Sequence, residues 1–95
     1  MKIIIWDTNA QRIACIDRNL RIAMQQLGQR GLVSSMSEPP LIGRMGLIGK
    51  TPVLEIGGFY WSLKAGSAIS VEECLNLLRK LHEGGKIDEG GHLQE

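Results

Sequence analysis

A proline that leads directly into an apolar strand constrains this chain more than any other feature. Residues 46–58 read Gly-Leu-Ile-Gly-Lys-Thr-Pro-Val-Leu-Glu-Ile-Gly-Gly. Val53 to Ile56 has the composition of a buried strand, but Pro52 has no N–H to give to a sheet ladder. Either that strand begins at an edge, or the proline holds a special backbone position that a ligand or partner can use. Gly57-Gly58 supplies the turn of a β-hairpin whose second strand spans 59–64.

Upstream, Ile3, Ile4, Ile5 and Trp6 form a continuous apolar run that stops at Asp7-Thr8-Asn9. A run without alternation predicts a strand over 2–6 covered on both faces, hence central in its sheet. Thr8 or Asn9 is a natural helix N-cap. Ile13, Ile16, Leu20, Ala23, Met24 and Leu27 then recur at helical spacing, and Gly28 is a C-terminal stop, so a helix is expected over about 10–27. Arg12, Asp17, Arg18, Arg21 and Gln25 fall largely on its other face. Gly31-Leu-Val-Ser-Ser-Met predicts a strand. Ser37-Glu-Pro-Pro, with Ser37 as cap, opens a short helix over about 39–45.

Downstream of the hairpin, Phe59, Tyr60 and Trp61 point alternately to the two faces, so both faces are expected to be covered. Ser70-Val-Glu-Glu is a capping box, in which Ser70 caps the helix and Glu73 reaches back. Ile69 and Cys74 take the two hydrophobic-staple positions. Val71, Cys74, Leu75, Leu78 and either Leu81 or His82 are expected to line the buried face, and Gly84-Gly85 to end the helix. From there to Glu95 no apolar period persists. The expectation is one domain over 1–83 and a flexible tail over 84–95. The order βαβαββα makes an α/β protein: a four-stranded mixed sheet with helices on both faces.

Ninety-five residues suffice for one modest core. Eleven basic against ten acidic residues leave a net charge of +1, which is no footprint for nucleic acid or an anionic membrane surface. No apolar run approaches membrane-spanning length, and the N-terminal run is too short for a signal peptide. Two cysteines do not make a secreted disulfide framework. A cytoplasmic location is therefore expected.

With that order and a proline opening the third strand, the chain resembles the thioredoxin fold. More narrowly it resembles the small glutaredoxin-like proteins called redox-active disulfide protein 2. The resemblance covers about residues 1–83. It rests on Met1-Lys2-Ile3, the Thr8 turn, the helix through Asn19, Ala23 and Leu27-Gly28, the segment Pro52-Val53-Leu54-Glu55-Ile56-Gly57-Gly58, and the closing helix opened by Ser70. It implies that the Thr51-Pro52 bond is cis and faces the start of the first helix, where the family carries a Cys-x-x-Cys motif. It also implies that Thr51 offers backbone groups to an extended peptide or a glutathione-like ligand. Aligned without gaps from Met1, the family's cysteines fall at Ala10 and Ile13. Neither residue forms a thiolate, so dithiol exchange at that position is chemically impossible.

What remains is a groove with two walls, Asp7, Thr8, Asn9, Ala10 and Arg12 on one side and Lys50, Thr51 and Pro52 on the other. The free N–H groups of the helix start favour an anion, which Arg12 would help to bind; in the plainer reading the start is self-capped and Asp7 already fills that role. Cys15 and Cys74 are the only thiols. Cys15 lies about 200° of helix rotation beyond the lost second cysteine, well inside the helix, where the N-terminal field has faded. A structural role is the expectation for both. Gly49-Lys50-Thr51 looks like the end of a phosphate-binding loop, but position 44 is arginine where glycine is needed and a strand, not a helix, follows. Ile42-Gly-Arg-Met-Gly-Leu-Ile resembles the glycine loop of a KH domain, without the helix that must follow it. His82 and His92 with the two cysteines have no metal-ligand spacing. No cofactor is expected. The expected function is a non-redox binding module for a peptide or partner protein. The alternatives are a one-thiol oxidoreductase or thiol carrier using Cys15 or Cys74, and a structural homodimer.

Overall fold

The computed structural model describes residues 1–84. Four strands and three helices follow in the order β1 (Lys2–Trp6), α1 (Ala10–Leu27), β2 (Leu32–Met36), α2 (Pro39–Arg44), β3 (Val53–Ile56), β4 (Phe59–Trp61) and α3 (Val71–Glu83). The sheet order is β2-β1-β3-β4. β1 runs parallel to β2 and antiparallel to β3, which pairs antiparallel with β4. The unbroken apolar run of β1 is thus an inner strand. Of the expected tail, Gly84 closes the last helix and 85–95 lie outside the described residues.

Register sorts the side chains. Ile3 faces Ile56 and Ile5 faces Leu54 across β1 and β3. By the two-residue period of strands, these four share one face. They form a core with Ile16, Leu20, Ala23 and Met24 of α1 and Leu77, Leu78 and Leu81 of α3. Ile4, Trp6 and Val53 point the other way, where Ile42 of α2 and Leu47 after it pack on them. Ile3, Ile5 and Leu54 are wholly buried, and each such burial stabilises the fold by roughly 1.5–3 kcal/mol relative to exposure.

The helices begin and end for identifiable reasons. Asn9 caps α1, its side chain accepting from the Arg12 N–H at 2.9 Å. Gly28 closes α1 in the left-handed conformation, at φ 68°, where a Cβ would be costly. Both halves of the Ser70 capping box form, with Ser70 N–H donating to Glu73 Oε1 at 2.9 Å and Glu73 N–H to Ser70 Oγ at 3.1 Å. Ile69 and Cys74 are both buried, as a staple requires. Asn19, buried between α1 and the start of α3, donates from Nδ2 to the Ile69 carbonyl at 2.9 Å. Gly57 and Gly58 both have positive φ, 59° and 82°, the signature of a two-residue hairpin turn.

Four details depart from expectation. Ser37 is not the cap of α2: Glu38 holds that place and makes no side-chain cap bond, while Pro39 and Pro40 supply the preset first turn. β4 ends at Trp61, not at 64, because Ser62 and Gly66 turn their donors to the carbonyls of Lys50 and Thr51. Phe59 and Tyr60 remain 47% and 41% exposed. β4 is a sheet edge, and its half-buried Trp61 packs against the α1/α3 core. The buried face of α3 centres on Cys74, Leu77, Leu78 and Leu81; His82 is exposed and Val71 and Leu75 are half-buried.

Candidate functional site

The site begins where β1 runs out of hydrophobic residues. Trp6 pairs with Val53 in antiparallel register, so the next residue, Asp7, lies across from Pro52. Asp7 still belongs to the ladder, its N–H donating to the Met36 carbonyl at 3.2 Å. Its side chain is wholly buried, an expensive place for a carboxylate. Four donors converge on it. Arg12 grips both oxygens, Nε on Oδ2 at 2.6 Å and Nη2 on Oδ1 at 2.7 Å. The N–H groups of Thr8 and Asn9 reach Oδ1 at 2.8 and 3.4 Å.

Burial by itself would raise the Asp7 pKa. The hydrogen bonds from Arg12, Asn9 and Thr8, and the Arg12 charge, outweigh it and hold the carboxyl below its ordinary 3.8. Arg12 is raised in turn, chiefly by its hydrogen bond to Asp7. The pair is bidentate and charge-assisted, the stronger class of such contacts. It leaves Asp7 ionised, with both oxygens engaged and no proton to give. Arg12 is therefore not a free cation awaiting an anion; Asp7 holds its guanidinium, while the cap of α1 is Asn9 and not Asp7. Asn9 accepts the Arg12 N–H, and Thr8, Asn9 and Ala10 are exposed at the rim.

The other wall is built by a turn. The Lys50 N–H donates to the Leu47 carbonyl at 3.0 Å. The Thr51-Pro52 bond is cis, Pro52 is buried, Thr51 is half-buried and Lys50 is exposed. The carbonyls here are already used. Ser62 Oγ donates to the Lys50 carbonyl at 2.7 Å, and the Gly66 N–H to the Thr51 carbonyl at 2.9 Å. An incoming chain would therefore find the Thr51 oxygen partly satisfied. Ser62 and Gly66 escaped the sequence reading, which ran a strand to residue 64 and so placed Ser62 within the sheet. Among the described residues, no hydrogen bond joins the Asp7–Arg12 wall to the Lys50–Pro52 wall; the ladder between β1 and β3 sets them side by side.

In comparisons with known proteins, no family model, curated protein or solved structure matches this chain. Its chemistry must be read from its own side chains. Ala10 and Ile13 stand in the first turn of α1, where neither can attack or transfer anything. Cys15 is half-buried, and its Sγ accepts weak hydrogen bonds from Asn19 Nδ2 at 3.6 Å and Arg18 Nη2 at 3.8 Å. Cys74 is fully buried in the core. Burial pushes its thiol up to about 12, with Glu73 and then Cys15 adding to the push. A thiol so placed is almost wholly protonated near neutrality. Among the described residues no helix is long and apolar enough to cross a membrane.

Proposed function

We propose that this chain is a thioredoxin-like binding module without thiol chemistry, which recognises a peptide or partner protein beside Pro52. The observation that carries the reading is the buried Asp7–Arg12 pair at the start of α1. Where the resembled family presents a thiolate to its substrate, this chain has Ala10 and Ile13, and the Arg12 charge at the helix start is held by its own carboxylate, Asp7. Such a surface has shape and no reactive atom. The strand order β2-β1-β3-β4 supports the thioredoxin-like assignment. An insulin-reduction assay with dithiothreitol tests the absence of redox chemistry. No turnover above the uncatalysed rate is expected; dithiol-dependent turnover overturns the reading.

A second reading has one observation in its favour. Cys15 is partly accessible, and its Sγ accepts hydrogen bonds from Arg18 and Asn19. Single-thiol chemistry would then fall on Cys15, since Cys74 is enclosed. Alkylation rates measured across pH decide it: a Cys15 that reacts no faster than free cysteine at neutral pH removes this alternative.

A further inference from the structure

We propose that the joined loops 44–51 and 62–66 recognise an acidic protein segment carrying an apolar anchor. The inference rests on the binding-module reading and names the class of its partner. The two loops form one surface because Ser62 bonds to Lys50 and Gly66 to Thr51. Three exposed cations stand on it, Arg44, Lys50 and Lys64. Residues 39–54 and 62–71 contain no aspartate or glutamate. The carboxylates of the neighbouring strands are committed elsewhere: Asp7 to Arg12, and Glu55 to the indole N–H of Trp6 at 2.9 Å. Among the described residues none of the three cations is in an ion pair.

Two apolar side chains stand among the charges of the first loop: Ile48 is 73% exposed and Met45 46%. Leu63 turns instead to a pocket shared with Trp61, Glu73 and Leu77 on the α3 side. Ile48 is nonetheless positioned: a Cβ added at Gly43 would lie 3.1 Å from its Cδ1, so the side chain rests on the α2 backbone. Single exposed apolar residues are ordinary, but Met45 and Ile48 among unpaired cations complement a segment that alternates carboxylates with a leucine-like anchor. Nucleic acid fits less well, because three cations neutralise only about three phosphates. An anionic bilayer fits less well too, because three cations fall short of the dense basic clusters that such surfaces attract.

The test uses the full chain and three synthetic peptides of about twelve residues, each with a central Leu-Leu and flanks of Glu, Gln or Lys. Amide shifts are followed by NMR during titration. The Glu peptide is expected to move resonances of 44–51 and 62–66, and to bind at least about tenfold more tightly than the Lys peptide. Lys50→Glu with Lys64→Glu is expected to weaken it by about tenfold, with the amide spectrum elsewhere unchanged. Equal binding of the Gln peptide at the same residues overturns the acidic class and spares the binding module. Absence of shifts there with every peptide up to about 1 mM overturns both. Co-sedimentation with phosphatidylserine vesicles, without peptide shifts, overturns the proposal in favour of a lipid surface.

Discussion

The two faces of the sheet are built to different standards. On one, thirteen buried residues from β1, β3, α1, α3 and Ile69 form a continuous core. On the other, four buried residues suffice: Trp6, Ile42, Leu47 and Val53. The thick face rests on two long helices with strong caps, and the thin face on a six-residue helix whose cap makes no side-chain bond. Stability is therefore concentrated on the α1/α3 side. The turn that follows α2 leads directly to Lys50–Pro52, so the candidate site belongs to the lightly covered side. Exposed apolar and basic residues remain on that side, while the other side keeps the fold.

Mutations can break this comparison or sharpen it. The largest loss is expected from Leu78→Ala in the thick core, about 4 kcal/mol, because a wholly buried leucine leaves a cavity the two helices cannot close. Urea denaturation reads it. Next comes Arg12→Ala, about 3 kcal/mol near neutral pH, since it strands a wholly buried carboxylate. Asp7→Asn should cost less, because the Arg12 side chain is 20% exposed and can turn to water. The Arg12→Ala deficit has a predictable pH dependence. Asp7 is depressed below 3.8 in the folded chain. Its paired, ionised form therefore stabilises the fold above that value, and the stabilisation is lost as pH falls through the lower folded value. The gap between wild type and Arg12→Ala should narrow in acid; a gap that widens would contradict the pairing.

Ile42→Ala on the thin face should cost about 2 kcal/mol, roughly half the Leu78 loss. Equal losses at the two positions would erase the asymmetry. Ser70→Ala removes one capping-box bond and should cost about 1 kcal/mol by thermal denaturation. At the small end, Lys50→Glu with Lys64→Glu should change stability by no more than about 0.5 kcal/mol, as expected for exposed positions free of ion pairs. A larger loss would mean that these lysines serve the fold and not a partner.

Much of this was legible in advance because it depends on neighbours in sequence. The bounds of β1 and α1, the Ser70 cap, the Ile69–Cys74 staple and the Gly57-Gly58 turn each follow from a few adjacent residues, and the cap of α1 was narrowed to Thr8 or Asn9, of which the structure uses Asn9. The site was legible in outline: Asp7 was placed at the helix start and Pro52 at the strand entrance. The commitment of Arg12 was not, because an arginine five residues from an aspartate can equally face a ligand. The exposure of Phe59 and Tyr60 was not legible either. Hydrophobic character predicts burial only where a covering element exists, and an edge strand has a neighbour on one side alone.

The sequence by itself determined the order of elements, the absence of thiols at Ala10 and Ile13, and the proline before the third strand. These are statements about local propensity and side-chain chemistry, which do not change with folding. Only the tertiary structure decided that Asp7 would be buried opposite Pro52, that Arg12 would spend its charge there, and that Ser62 and Gly66 would close on Lys50 and Thr51. Each of these depends on strand register and on loops far apart in the chain. Hydrogen-bond partners at such separations are selected by packing, not by neighbouring residues.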